Sequence, residues 1–244
     1  MSTTRIDVRG GSPGGAPLVA VSHGPVQARR LRGGDGVVRF GLVASQALLL
    51  AGDQVRLEVL VAGPATVEMI EIGGTVAHAM RGGTARWDVD IRLRDDAHLS
   101  WAAQPFVVAA GADVDRTTTL TADEGCAATL RETLVLGRAG ESGGALRADT
   151  HFTLGGRPLL VEHLDLGVDA RAGWATLHGH RCLDTVTTVG HRLPDDPGVL
   201  QLEGCGSVLR WIGDELHRSP VATPQPRRAQ VGGAGGVTRA RVPR

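Results

Sequence analysis

The 244-residue sequence has no lysine, no asparagine and no tyrosine, and holds only 3 cysteines and 3 phenylalanines. Without lysine the chain has no phosphate-cradling Walker A lysine, no Schiff-base lysine and no lysine general base, so it is not expected to hydrolyse nucleotides by itself. The three missing residue types share AT-rich codons. GC-rich coding therefore accounts for arginine filling every basic position, and the arginine count is no sign of phosphate recognition. Acidic and basic residues balance at 26 each, a formal charge of zero. No whole-molecule field draws in nucleic acid or an anionic membrane, and neither is expected as a partner. A near-neutral surface resists self-association poorly, which suits a protein that lives in a complex.

Cys126, Cys182 and Cys205 are odd in number, far apart and free of any C-x-x-C spacing. That argues against a disulfide framework or a zinc ribbon and fits a reducing compartment. The apolar runs are too short to span a bilayer, and polar Ser2-Thr3-Thr4-Arg5 leads into Gly/Pro-rich sequence without an apolar leader core. The expected location is the cytoplasm.

What the chain does have is period-two alternation. Trp87, Val89, Ile91 and Leu93 point one way while Arg86, Asp88, Asp90 and Arg92 point the other, the pattern of a half-buried strand. Similar runs cover 55–61, 65–72, 98–102, 106–110, 114–121, 127–136, 146–154, 159–166, 175–177 and 183–189, separated by turn signals such as Gly73-Gly74, Asp95-Asp96 and Gly155-Gly156. With 42% hydrophobic residues this predicts one all-β domain of stacked sheets over 1–218, closing as a sandwich, a barrel or a solenoid. No fixed repeat period is visible. One short C-terminal helix is predicted over Ser207–Arg218, from Val208, Leu209, Ile212 and Leu216 at helical spacing, with Ser207 as N-cap. The Pro-, Gly- and Arg-rich segment 219–244 reads as a flexible tail.

Three clusters invite a chemical reading. Gly10-Gly11-Ser12-Pro13-Gly14 has the spacing of a serine nucleophile elbow, but Pro13 and Pro17 deny it the helix that chemistry needs. His178, His180 and Cys182 would share one strand face and could hold nickel or zinc, and His178, His180 and Asp184 echo the first metal motif of cupin enzymes. The second cupin motif is not evident, and same-face packing of a buried Cys is the reading preferred here. Asp53, after Gly52 at the mouth of a strand, reads either as a weak divalent-ion ligand or as a turn residue accepting backbone N–H groups.

The stretch from Arg131 to Gly144 is the most specific. A strand through Thr133-Leu134-Val135-Leu136 ends in Gly137-Arg138-Ala139-Gly140-Glu141 and Ser142-Gly143-Gly144, and collinear motifs precede it: Gly52-Asp53-Gln54, Gln104-Pro105-Phe106 and Gly111-Ala112-Asp113-Val114-Asp115-Arg116. In order and spacing this set resembles the urease accessory protein D family. The resemblance implies a non-enzymatic scaffold with a β-helix-like stacked architecture, required for urease maturation. Its implied partners are the urease structural subunits, a helical accessory protein F and an accessory GTPase G, with which it assists nickel insertion into the urease metallocentre. It implies no tightly bound cofactor, only transient nickel. Carried over by position, Asp53, Gln104, Arg116, Glu132, Arg138 and Glu141 become candidates for a nickel route or for partner binding, and Gly52, Pro105, Gly137 and Gly140 for structural turns. The segments Ala44–Ala51 and Gly73–Met80 depart from the family pattern.

Overall fold

The computed structural model describes residues 2–11, 15–34 and 36–221. Strands dominate, at 56% against 3% helix. In chain order they are β1 (Ser2–Arg9), β2 (Leu18–Ser22), β3 (Val26–Leu31), β4 (Val37–Ala44), β5 (Gln54–Ala62), β6 (Thr66–Glu71), β7 (Thr75–Ala77), β8 (Ala85–Arg94) and β9 (His98–Ala102). Then follow β10 (Phe106–Val108), β11 (Asp113–Ala122), β12 (Ala127–Leu136), β13 (Ala145–Leu154), β14 (Arg157–Asp165), β15 (Cys182–Val189), β16 (Val199–Gln201) and β17 (Gly206–Gly213).

Two large sheets face each other, with strand orders β14-β13-β11-β8-β5-β1-β2 and β16-β17-β15-β12-β9-β6-β4-β3. The chain passes repeatedly from one to the other, so that β1, β5, β8, β11 and β13 run parallel in the first and β4, β6, β9 and β12 in the second. The result is a β-solenoid of about four turns. The short parallel strands β7 and β10, with the last residues of β12, form a third wall. Gln54 lies beside Arg86, Arg86 beside Asp115 and Asp115 beside Arg147, offsets of 32, 29 and 32 residues. The backbone thus repeats almost regularly while the side chains do not, which is why no repeat shows in the sequence.

The alternation works as read. Val55, Leu57, Val59 and Val61 of β5, with Val89, Ile91 and Leu93 of β8, are buried on the inner face, and their polar neighbours look outward. A parallel coil cannot bury its own end faces, and antiparallel strands close it: β2 and β3 at one end, β14, β15 and β17 at the other. Glu162 of β14 and Arg210 of β17 tie the two sheets at that second end through bonds of 2.8 and 2.7 Å.

The C-terminal helix is shorter than its pattern promised. Within the predicted span helix is confined to a 3-10 turn at Leu216–Arg218, and Gly206–Gly213 is strand β17. Ser207 is no N-cap: it takes the Leu193 N–H on its Oγ at 2.9 Å and donates to Gln201 at 2.6 Å. A short apolar run fits either period, and here ladders on both sides, to β15 and β16, decide for the strand. The expected strand at 175–177 is also overturned, since these residues lie in consecutive turns. Ser12 to Gly14 and residues 222–244, most of the expected tail, lie outside the described residues. Among the described residues no helix is long and apolar enough to cross a membrane.

Candidate functional site

On three strands an inward position carries a charge. In β11 the inner face runs Val114, Arg116, Thr118, Leu120, in β12 Leu130, Glu132, Leu134, and in β6 Val67, Met69, Glu71. The fold brings the three charged groups to one narrow cavity between the sheets. It is about 20 Å³, room for roughly one water, and is walled by Trp87, Trp101 and Phe106.

Arg116 is nearly buried and donates from Nη2 to Glu132 Oε1 at 2.5 Å; the Thr118 hydroxyl donates to the same oxygen at 3.0 Å. The guanidinium also lies 5.5 Å from the centre of the Phe106 ring, which Trp87 meets edge-on at 5.7 Å. Its buried Nε–H finds no acceptor among the described residues. Glu71 takes the Gln104 backbone N–H at 3.0 Å. Loss of water around it pushes its carboxyl up to about 7, against the pull of the Gln104 N–H, the Arg116 charge and the Trp101 indole. The cavity therefore holds two carboxyl groups around one guanidinium. One of them changes charge near neutral pH.

Of the positions singled out in the sequence, Gln104, Arg116 and Glu132 come together here, Gln104 through its backbone. Glu71, Trp87 and Trp101 complete the cavity and were missed. A carboxylate at the inward position of an alternating strand is the signal that could have found Glu71.

The other candidates lie elsewhere. Asp53 behaves as a turn residue, its Oδ2 accepting the Leu50 N–H at 2.9 Å. Gly52, at φ +85°, donates its N–H to Thr84 at 3.1 Å, and the Pro105 carbonyl accepts the Thr75 N–H at 3.1 Å. Arg138 and Glu141 form a surface corner. Gly137 there has φ +88°, and a Cβ on it would meet the Glu141 carbonyl oxygen at 2.6 Å, so only glycine fits. Gly140 turns the chain at φ +79°. Glu141 receives the Arg138 guanidinium at 2.8 Å, the Arg138 N–H at 3.1 Å and the Ala110 N–H at 3.2 Å. These donors, the Arg138 side chain first, hold its carboxyl down to about 2. Glu141 is thus a clasp between the corner and the β10–β11 turn.

A depressed carboxyl stabilises the fold above its unfolded value and loses that contribution as pH falls through the folded one. Glu141→Gln is therefore expected to lower the melting temperature at pH 7, by a margin that shrinks between about pH 4.5 and 2. Equal melting temperatures at pH 7 would show that the clasp does not hold the corner.

The shared-face premise for His178, His180 and Cys182 fails. Both histidines lie before β15, in the loop from β14. His178 is exposed at φ +51°, and His180 Nδ1 contacts Asp214 at 3.1 Å. Cys182 is buried on β15 and donates weakly to the Asp214 carbonyl oxygen at 3.5 Å. Asp184, fully buried, accepts from Arg131 at 3.0 and 2.8 Å, Thr133 at 2.9 Å and Ser219 at 2.6 Å. The cupin alternative, which needs His178, His180 and Asp184 to converge, has no geometric basis. Among the described residues no group of three or more His, Cys, Asp or Glu side chains is placed to hold a metal ion.

Residues 17–239 match the family described as UreD urease accessory protein. The urease accessory protein UreD 1 of Streptomyces griseus is 41% identical over 181 residues, 73% of this chain and 71% of its own length. The urease accessory protein UreD of Streptomyces coelicolor is 32% identical over 227 residues, 91% of this chain and 89% of its own. The chain belongs to the UreD urease accessory protein family. In this UreD chain the family-like stretch 131–144 serves two places at once: Glu132 enters the interior cavity, and Gly137 to Gly144 build the Glu141 corner outside it.

Proposed function

We propose that this chain is a non-enzymatic scaffold in urease maturation that handles nickel as cargo in its interior. It binds the urease apoprotein and works with an accessory protein F and an accessory GTPase G. Any GTP dependence enters through that GTPase. The family supports the maturation role, and one observation carries the nickel reading: Glu71 and Glu132 flank Arg116 in a cavity between the two sheets. Carboxylate oxygens are hard-to-borderline ligands able to take a divalent ion. Two of them, with a cation between, make a weak set, and weakness suits a group that must hand its ion on. A carboxyl titrating near 7 exchanges a proton for a metal ion at little cost. Arg116 keeps the two carboxylates apart and charge-compensated while no ion is present.

The test is Glu132→Gln, which keeps shape and the Thr118 contact but removes the charge. In cells with limiting nickel, urease activity and nickel content are expected to fall severalfold and to recover with excess nickel, while the variant still co-purifies with urease subunits and accessory proteins. Normal activation at limiting nickel would remove the cavity from the route. Loss of co-purification would make Glu132 a residue of the scaffold's shape.

A further inference from the structure

The solenoid ends in free strand edges, and they differ in chemistry. Of the charges on β14, Glu162 is matched by Arg210 and His163 by Asp149, and one arginine, Arg157, stands at the start of the strand. The strand β2 carries none between Leu18 and Ser22, and β16 is three residues long. The edge at β3 is unlike these. Its sequence Arg29-Arg30-Leu31-Arg32 is exposed throughout, and among the described residues none of the three arginines makes a hydrogen bond or ion pair. Arg5, Arg39, Arg56, Arg92, Arg116, Arg147 and Arg210, by contrast, hold carboxylates, and the described arginines on other strands that do not, Arg86, Arg94 and Arg157, stand singly rather than in a run. Among the described residues no strand pairs with β3 on the side away from β4.

An apolar patch adjoins this basic edge on the outer face of the sheet. Antiparallel pairing sets Gln27, Arg29 and Leu31 beside Val43, Gly41 and Arg39. Leu31, Val43 and Ile72 are 37%, 40% and 62% exposed. They surround Gly41, where a Cβ would come within 3.0 Å of Ile72 Cδ1 and 3.4 Å of Leu31 Cδ2. The missing side chain lets Ile72 and Leu31 close over the glycine, so that the three apolar side chains form one continuous exposed patch. Charge alone on an edge strand is a common guard against aggregation. Charge beside exposed apolar walls is a different combination, one that offers an added strand something to pack on.

We infer that the β3 edge, with Leu31, Val43 and Ile72, is a docking site for an acidic extended segment of a partner protein, which adds to the sheet as a further strand. Backbone pairing along β3 supplies register, and apolar side chains on the outer face reach Leu31 at the near side of the patch. The alternating acidic ones, on the opposite face, meet Arg30, with Arg32 just past the end of the strand and Arg29 on the apolar side adding to the positive field. A second copy of this chain is a poor occupant, because two β3 edges paired antiparallel set arginine against arginine. Nucleic acid or a lipid surface would satisfy the guanidinium groups and leave the strand's outer N–H and C=O groups unmet. The inference needs no part of the nickel reading above.

The probe is a fluorescent, N-acetylated heptapeptide alternating glutamate and valine, titrated into the full chain at low salt. It is expected to bind, to weaken with added salt, and to slow deuterium exchange in β3. The Arg29→Ser, Arg30→Ser, Arg32→Ser triple variant, whose substituted groups are exposed and should leave the circular dichroism unchanged, is expected to bind about tenfold or more weakly. A peptide N-methylated on alternate residues, unable to pair with the edge, is expected to lose binding to a similar degree. No binding up to about 1 mM overturns the inference. So does binding indifferent to N-methylation, which is charge attraction alone, or protection that falls on another strand. Chain that self-associates through β3, with the triple variant monomeric, would assign the edge to a second copy instead.

Discussion

Replacing Asp184 by alanine is expected to cost about 3–5 kcal/mol of stability, the range for breaking a buried, hydrogen-bonded charge pair. The carboxylate is wholly shielded from solvent and saturated: both oxygens receive Arg131, Oδ1 also takes the Thr133 hydroxyl and Oδ2 the Ser219 hydroxyl. Alanine removes the acceptor and takes from Arg131 its bidentate carboxylate inside the fold. Asparagine keeps the shape but not the charge and should cost less, about 1.5–3 kcal/mol, the worth of a charge-assisted bond. A second effect is local. Ser219 ties the last described residues to the body of the solenoid, and its Oγ in turn takes the Val221 N–H at 3.2 Å. In the alanine variant, deuterium exchange and protease cleavage near Ser219 should speed up beyond what the global loss explains. Urea unfolding measures the first effect and exchange the second. A loss under about 1 kcal/mol would place the cluster among weak surface pairs instead.

Most strands were legible because the inner faces of this solenoid obey strict alternation, and β5, β8, β11 and β12 were read almost to the residue. The solenoid itself was open among three architectures from periodicity. Which strands lie side by side is set by backbone ladders some thirty residues apart in sequence, and these leave no mark on the local pattern. The run from Val208 to Leu216 failed for a related reason: its apolar spacing satisfies helix and strand alike, and only pairing with β15 and β16 separates them. At His178 and His180 the error lay in extending β15 backward by four residues into a loop. The interior cavity was half visible. Arg116 and Glu132 stood out through neighbouring glycine-rich motifs, whereas Glu71 ends an ordinary strand. Read by parity, all three would have declared themselves as charges on inward positions.

Glu71 is the charge whose retention costs the fold most plainly, and Glu71→Gln is expected to stabilise the chain. The sign follows from linkage. Its carboxyl titrates at about 7 when folded against 4.5 when free, so the folded state holds a proton that the unfolded chain releases. Stability is therefore unaffected by this group below about pH 4.5, falls as pH rises from there, and has lost its full share above about 7. At 1.36 kcal/mol per unit the ceiling is about 3 kcal/mol, and partial exposure of Glu71 brings the expected gain to about 2 kcal/mol at pH 8. Glutamine never ionises, keeps an oxygen for the Gln104 N–H and escapes the loss. Urea midpoints of the two proteins should coincide near pH 4 and separate towards pH 8, with the variant higher. Equal midpoints at both pH values would mean that water reaches the carboxylate and that the cavity is no desolvated site. A lower midpoint at pH 8 would mean that Arg116 holds Glu71 in its charged form. If the gain is found while urease activation at limiting nickel falls, the same carboxyl that weakens the fold at neutral pH is the one the cargo uses.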